Sequence, residues 1–448
     1  MRSSSSPTRG SGNGTVRTER EMRRMRFIVL AAVAILTFVV PFELALRLVP
    51  SAIPLSLLTE FEPTLRSAIA KQRKLQRIED TVLVPRDDGG PAQRMWIYKP
   101  GVEVTVPFDE AGIVKTVRMD DAGFCNADAA FYEKLKRLDV AAIGDSFTFC
   151  TNVVPADAWP AVLAARTGLQ VYNFGMPGRG LHEYVQTLKA FALAKRPRFV
   201  VVAAYEGNDL RDAARFHADG DSAAPKARRP CPFASDGLCA WHERLKHGFL
   251  GRHSYGFNLA RSGIWRSAYN RREKEIDFRY DIRFPDGNTV TFNSRNGDLD
   301  EVTYARALVR DEVSVDLFEG PLRSLVALGR EHGFTLIVVY IPSAYTAYRQ
   351  KAHFEDAGVE RTVTEFSDRQ RRYFARKAGE AGFVYRDLTP ALQRAAAELP
   401  STQRLYFRTN VHLTPAGHAV VAAEVAEEIL KDSSAAAVSR GNKMNDRN

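Results

Sequence analysis

Residues 138–146 read LDVAAIGDS, and the fold follows from this stretch. An apolar run of strand length that stops at a glycine suits a strand buried on both faces of a parallel sheet. On its C-terminal side WPAVLAART (159–167) has an amphipathic helical pattern, and LQVYNFG (169–175) is again strand-like. HEYVQTLKAFALAK (182–195) returns to helical spacing, and RFVVVAAY (198–205) is a third strand. A β-α-β-α-β order with short connections predicts a parallel sheet with helices on both faces. The alternation resumes with the helix VDLFEGPLRSLVALGREHG (315–333), the strand FTLIVVYIP (334–342), a helix over about 361–381, the strand FVYRDL (383–388) and the helix PAGHAVVAAEVAEEILK (415–431). The expected fold is α/β, a three-layer α/β/α body with a parallel central sheet over residues 138–431.

Residues 210–305 break this rhythm. They are rich in Arg, His, Asp and Gly and are read as an insertion. Within it FRYDIRFPDGNTVTFN (278–293) is expected to be a hairpin turning at Asp286-Gly287. Residues 50–137 read as a stalk of mixed helix and loop with a strand leading into the body, and residues 432–448 as a disordered tail. No internal repeat is present.

The chain has 448 residues, enough for one to three domains. With 45% apolar and 26% charged residues it is neither collagenous nor wholly disordered. Its net charge of +10 has a local origin. Seven of the first 26 residues are Arg (2, 9, 17, 20, 23, 24 and 26), against Glu19 and Glu21, so half of the excess lies in that tail. A basic nucleic-acid groove across the body is therefore not indicated. Residues 1–26 hold almost nothing to bury and are expected to be disordered.

Residues 27–42, FIVLAAVAILTFVVPF, carry no charge, and the run reaches spanning length if it continues past Glu43 to Val49. Basic residues flank only its N-terminal side, which predicts a signal anchor over 27–49 with the N-terminus in the cytoplasm and the bulk of the chain outside it. A cleaved signal peptide and a buried core helix are the rival readings. The first lacks a good small-x-small site in ELALRLVP, and the second does not account for the arginine-rich leader. Four cysteines agree with export. Cys231 and Cys239 bracket a short loop that a disulfide can close, and Cys125 and Cys150 form a second candidate pair. Four free, buried thiols are the alternative. No CxxC pair exists, so no zinc site is expected.

Four segments carry the chemistry. Gly144-Asp145-Ser146-Phe147-Thr148 follows the first strand of the body. If Ser146 begins the next helix, the backbone N–H groups and helix dipole favour an oxyanion there. The bland reading is a helix-capping serine. Asn173-Phe174-Gly175-Met176-Pro177-Gly178 follows the next strand, and an N–H of Gly175 or Gly178 can donate to an oxyanion. An ordinary βα turn would look the same. Gly207-Asn208-Asp209 follows the third strand, with the Asn208 amide as a further donor, in a turn composition that is commonplace. The fourth segment, Thr409 to His418 (TNVHLTPAGH), places His412 before a helix that starts with Pro415, as a candidate general base for Ser146. His418 falls inside that helix and reads as a packing or capping histidine.

In this order and on these elements, the four segments resemble the SGNH (GDSL-like) hydrolase superfamily. Ser146, Gly175 or Gly178, Asn208 and His412 match its namesake residues. The resemblance spans roughly 138–210 and 330–431, and the anchor and insertion look like the bacterial membrane-anchored branch related to alginate O-acetylation proteins. It implies a flavodoxin-like sheet and acyl transfer through an acyl-serine. Ser146 and His412 would be catalytic, with an oxyanion hole of the Ser146 and glycine N–H groups and the Asn208 amide. Water as acceptor makes an esterase; a sugar hydroxyl makes an O-acyltransferase. The resemblance further implies an acylated carbohydrate substrate, O-acetylated polysaccharide in particular. It leaves room for a membrane-bound acyltransferase partner, and it calls for no cofactor, metal or nucleic acid. A lipid esterase would show an apolar lid, whereas the insertion is rich in charge. The GxSxG elbow of α/β-hydrolases is absent.

The superfamily usually has an Asp two or three residues before the histidine, and here those positions hold Asn410 and Thr409. A backbone carbonyl could orient His412, a distant carboxylate could substitute, or the site could bind without catalysing, as an assembly module for polysaccharide modification. Other constellations are weaker. His242 and His247 resemble a zinc-helix pair but are spaced five apart, which sets them on different helical faces, as on a solvated loop or helix end. Tyr340, Tyr345 and Tyr348 either line a sugar groove or pack half-buried. Asp387 is read as a helix cap.

Overall fold

The computed structural model describes residues 22–23, 25–27, 29–30, 33, 35–54, 57–58, 61, 63–74, 79–85, 92–107, 114–128, 131–220, 236–275, 279–292, 298–408, 410 and 412–445. Residues 1–76 with 231–272, and residues 77–230 with 273–448, cluster as two units. The expected insertion is thus divided between them.

The larger unit begins with two antiparallel pairs where a stalk of helix and loop with a single entry strand was expected. β1 (Glu79–Val84) pairs with β2 (Gln93–Tyr98), and β3 (Glu103–Pro107) with β4 (Val114–Arg118). The first pair is registered over six residues and the second over five.

The central sheet is made of β5 (Val140–Gly144), β6 (Val171–Asn173), β7 (Phe199–Tyr205), β10 (Thr335–Ile341) and β12 (Val384–Asp387), with β8 (Tyr280–Arg283), β9 (Thr289–Phe292) and β11 (Ala352–Phe354) forming a separate antiparallel sheet. All pairings of the five-stranded sheet are parallel, in the order β12-β10-β7-β5-β6. Every residue of β5, β6 and β7 is buried, which explains the unbroken apolar runs of β5 and β7. The pleat divides them between two cores. Val140, Ala142, Val201, Ala203 and Tyr205 face one side, with Trp159, Leu163, Val421 and Val425. Ala141, Ile143, Val200, Val202 and Ala204 face the other, with Leu181, Tyr184, Leu322, Leu325 and Phe374. The covering helices include α1 (Trp159–Thr167), α2 (Leu181–Thr187), α3 (Asp209–Gly220), α4 (Asp298–Val309), α5 (Glu319–His332), α6 (Ala357–Ala381), α7 (Thr389–Glu398) and α8 (Pro415–Asn445). Helix α8 runs beyond the expected limit near 432, to Asn445.

In order of appearance the sheet strands run 2-1-3-4-5. The chain therefore reverses its winding direction between β5 and β7, and ligands of open α/β sheets bind outside the strand ends at such a point. Gly144 pairs with Ala203, so the ends of β5 and β7 lie level there. The hairpin of β8 and β9 turns where expected: Gly287 has φ +83°, and the Phe284 N–H donates to the Asn288 carbonyl at 2.8 Å.

The smaller unit is helical over Ile35–Val39, Val40–Leu48, Pro63–Gln72, Asp236–His247, Phe249–His253 and Tyr255–Glu275. Its core contains Leu46, Ile53, Phe61, Leu65, Ile69 and Tyr255. Glu43 accepts from the Ser254 hydroxyl (2.8 Å) and from the N–H groups of Tyr255 (3.0 Å) and Gly256 (2.8 Å), capping the helix that starts at Tyr255. His242 is buried and stacks on Trp265 at 4.4 Å, so it is not the solvated group expected. Among the described residues no helix is long and apolar enough to cross a membrane.

Candidate active site

Ser146 sits on a turn and not at a helix N-terminus. After β5 the chain forms turns through Asn152, and the next α-helix, α1, starts only at Trp159. The expected contribution of a helix dipole at Ser146 therefore falls away. The turn is held locally instead. The N–H groups of Thr148 (3.2 Å) and Phe149 (3.0 Å) donate to the Asp145 carbonyl, and the Phe147 N–H donates to Asp145 Oδ1 at 2.8 Å. A Cβ on Gly144 would meet Thr148 Oγ1 at 2.1 Å, so the tight return needs glycine. Asn152 closes the turn at φ +61°, a conformation asparagine tolerates better than most residues. A disulfide joins Cys150 to Cys125. Cys239 is also disulfide-bonded, and Cys231 lies outside the described residues.

His412 arrives from a loop that the larger unit pins at several points. Tyr406 and Leu413 form an antiparallel bridge. The Phe407 N–H donates to the His412 carbonyl at 3.1 Å, and the Leu405 N–H donates to the Tyr348 hydroxyl at 2.6 Å. Tyr406 Oη donates to the Pro342 carbonyl at 2.6 Å. This places His412 Nε2 2.8 Å from Ser146 Oγ. The imidazole stacks on Phe147 at 4.9 Å, and Phe147 in turn stacks on Tyr205 at 3.5 Å. Burial among these rings pushes the His412 imidazole down to about 4, so it is neutral at physiological pH.

Asn410 occupies the place of the usual acid. Its Oδ1 accepts the His412 N–H at 3.1 Å and also contacts His412 Nδ1. Its Nδ2 donates to Asn152 Oδ1 at 3.0 Å. The backbone N–H can only meet an acceptor, which fixes the amide orientation. Nδ1 then carries the proton and the Nε2 lone pair faces Ser146, the tautomer a general base needs. Thr409, the other expected orienter, lies outside the described residues.

The oxyanion donors sort differently from expectation. The Gly175 N–H donates to Asn173 Oδ1 at 2.8 Å and is thereby committed. Gly175 serves packing: a Cβ there would lie 2.4 Å from the Phe149 nitrogen. Gly178, exposed and at φ +71°, has no such commitment, and the N–H groups of Gly178 and Ser146 have no acceptor among the described residues. The Asn208 amide lies beside the buried Asp145 carboxyl. Burial pushes that carboxyl up to about 7, against the opposing hydrogen bonds of the Phe147 N–H and Asn208.

Several supporting residues escaped sequence reading. Asn126 Nδ2 donates to Asp120 (2.9 Å) and to the Asn173 carbonyl (3.2 Å), and Asn173 Nδ2 donates to the Thr148 carbonyl at 2.9 Å. These bonds tie Cys125's neighbour to the Ser146 turn, and only their spatial convergence reveals them. Asn152 is the other omission. Its one sequence signal is an asparagine shortly after the serine motif. Tyr340, Tyr345 and Tyr348 are fully buried, which removes the sugar-groove reading. Each belongs to a face of the central core, where ring burial outweighs an exposed stacking role. His418 accepts the Trp159 N–H through Nδ1 at 3.2 Å, a cap for α1 supplied from α8. Asp387 accepts the Thr389 N–H at 2.9 Å at the start of α7 and also pairs with Arg371.

The larger unit thus joins a parallel α/β sheet to a serine–histidine contact at the winding switch. Residues 322–445 match the family model described as "SGNH hydrolase-like domain, acetyltransferase AlgX". That segment contains Asn410 and His412; Ser146, Gly178 and Asn208 precede it. Solved structures with likeness to the chain include an acetylxylan esterase from Geobacillus stearothermophilus, at 14% identity and TM-score 0.33, covering 65% of this chain and 94% of that one. A GDSL-like lipase from Bacteroides thetaiotaomicron matches at 11% identity and TM-score 0.31, covering 67% of this chain and 90% of that one. Overlaps this low carry no argument about activity. Comparison with curated proteins finds no match.

Proposed function

We propose that the protein is an extracytoplasmic serine acyl-ester enzyme, an esterase or O-acetyltransferase, acting on O-acetylated polysaccharide and held at the inner membrane by residues 27–49. The observation that carries the chemistry is the 2.8 Å approach of His412 Nε2 to Ser146 Oγ, with Nδ1 turned to Asn410. Ser146 Oγ attacks the ester carbonyl while its proton passes to Nε2. The tetrahedral oxyanion is met by the Ser146 and Gly178 N–H groups and the Asn208 amide. The imidazolium returns the proton to the leaving alkoxide as the C–O bond breaks, leaving acyl-Ser146. Water or a sugar hydroxyl, deprotonated by His412, then takes the acyl group and regenerates the serine. The acetyl group is supported by the family description of the C-terminal segment, which names an acetyltransferase, and the polysaccharide by the resemblance of the sequence to the alginate O-acetylation branch. The location is supported by the apolar run behind an arginine-rich leader and by the Cys125–Cys150 disulfide.

A second reading has its own observation. With Asn410 where a carboxylate is usual, the imidazolium lacks a charged partner, and the domain could bind acylated glycan without turning it over. Fluorophosphonate labelling separates the two. The enzyme reading expects labelling of the oxidised protein that is lost in both Ser146→Ala and His412→Ala. A folded protein that does not label would sink it and leave the binding reading.

A further inference from the structure

We propose that Asn152 is a positioning residue for the reaction, holding the Asn410 amide in the one orientation that leaves His412 Nε2 free to take a proton. This rests on the reading of Ser146 and His412 as nucleophile and base. A carboxylate presents an acceptor whichever way it is turned. An amide does not: rotated by half a turn, Asn410 would offer Nδ2–H to the imidazole. Nδ1 would then be the acceptor, the ring proton would move to Nε2, and Ser146 Oγ would face a donor unable to act as base.

Two groups oppose that rotation. The His412 N–H donates to Asn410 Oδ1 at 3.1 Å, and Asn152 Oδ1 accepts from Asn410 Nδ2 at 3.0 Å. Turned over, Asn410 would set donor against donor on one side and acceptor against acceptor on the other. Asn152 is itself well placed to hold the amide. It is 8% exposed, its backbone stands at φ +61°, and it lies two residues after Cys150, whose disulfide to Cys125 ties down the turn that also carries Ser146. The nucleophile and the group that orients its base thus share one short segment, and a shift of that segment moves both. In this arrangement the amide needs its clamp because it has replaced a carboxylate.

The test uses p-nitrophenyl acetate turnover by the oxidised full chain. Asn152→Gly removes the side chain while tolerating the positive φ, and Asn152→Asp keeps an acceptor for Nδ2. Asn152→Gly is expected to lower kcat about tenfold, the size of one lost orienting hydrogen bond, with KM nearly unchanged. Asn152→Asp is expected to keep kcat within about twofold. In an Asn410→Asp background the same glycine substitution should change kcat by less than about twofold, because a carboxylate needs no clamp. Wild-type kcat in Asn152→Gly overturns the inference, and so does a tenfold loss that persists in the Asn410→Asp background. Ser146→Ala and His412→Ala are run alongside. Turnover that survives them overturns the parent reading and this inference with it, which is distinct from an Asn152 result on a Ser146-dependent background.

Discussion

If esters are cleaved as proposed, replacing Asn410 by Asp should raise the rate at neutral pH and make it more sensitive to acid. The neutral amide already selects the right tautomer of His412 through its contact with Nδ1, so the substitution adds only charge. Two unit charges about 4 Å apart interact by about 4 kcal/mol at an effective dielectric of 20, an upper limit before the new carboxylate is desolvated. A hydrogen bond to a charged group contributes about 1.5–3 kcal/mol against about 1 for a neutral one. The net gain in transition-state stabilisation is then about 1–2 kcal/mol, or roughly five- to thirtyfold in kcat. The full factor of about 10⁴ seen when a triad Asp becomes Asn is not expected in reverse, because that loss includes the wrong tautomer. The sign of the pH effect follows from the same charge. Burial now holds the imidazole at about 4, so its base form persists well below the ordinary range. A carboxylate favours the protonated ring and raises that value, so the acid limb of kcat/KM moves to higher pH. The assay is the kcat/KM profile of both proteins on p-nitrophenyl acetate from pH 4 to 8. An unchanged rate and an unmoved acid limb, in a variant that still labels with fluorophosphonate, would refute the assignment of Asn410 as the orienter.

Other outcomes follow from the supporting structure. The Cys125–Cys150 disulfide closes a separation of 25 residues, so Cys125→Ser with Cys150→Ser should destabilise the larger unit by about 3 kcal/mol in urea unfolding, with weaker labelling of Ser146. Gly175→Ala would set a Cβ 2.4 Å from the Phe149 nitrogen and 2.6 Å from the Thr148 carbonyl carbon. Those are backbone atoms of the Ser146 turn, so labelling should fall sharply, with a loss of about 1–3 kcal/mol in stability. His418, buried and pushed down to about 3, must be neutral to accept the Trp159 N–H. Its folded value lies below the unfolded one of about 6.5, so its contribution is complete above that pH and is lost as pH falls through 6.5 toward 3. The stability difference between wild type and His418→Gln, which cannot titrate, should therefore shrink from pH 7 to pH 4. A flat difference would count against the cap.

The sequence by itself determined the sheet. The runs at 140–144, 199–205 and 336–341 are apolar throughout because both faces are covered, and that burial is written in composition whatever the distant contacts are. It also singled out Ser146 and His412, far apart in the chain, which the fold brings to 2.8 Å of each other. It was less informative wherever a role depends on direction. Ser146 read as a helix start because nothing local shows that Asn152 adopts φ +61° and that the chain turns on until Trp159. Gly175 and Gly178 looked equivalent until the Asn173 side chain was seen to take the N–H of one of them. The tyrosines after β10 looked able to line a groove until the core closed over them. The small pairs β1–β2 and β3–β4 are stabilised by cross-strand partners that no local pattern announces. The fold alone sets Asn152 against Asn410 and Asn410 against His412. A hydrogen bond between residues 258 positions apart has no local signature, and an amide's orientation is set entirely by the donors and acceptors that the fold gathers around it.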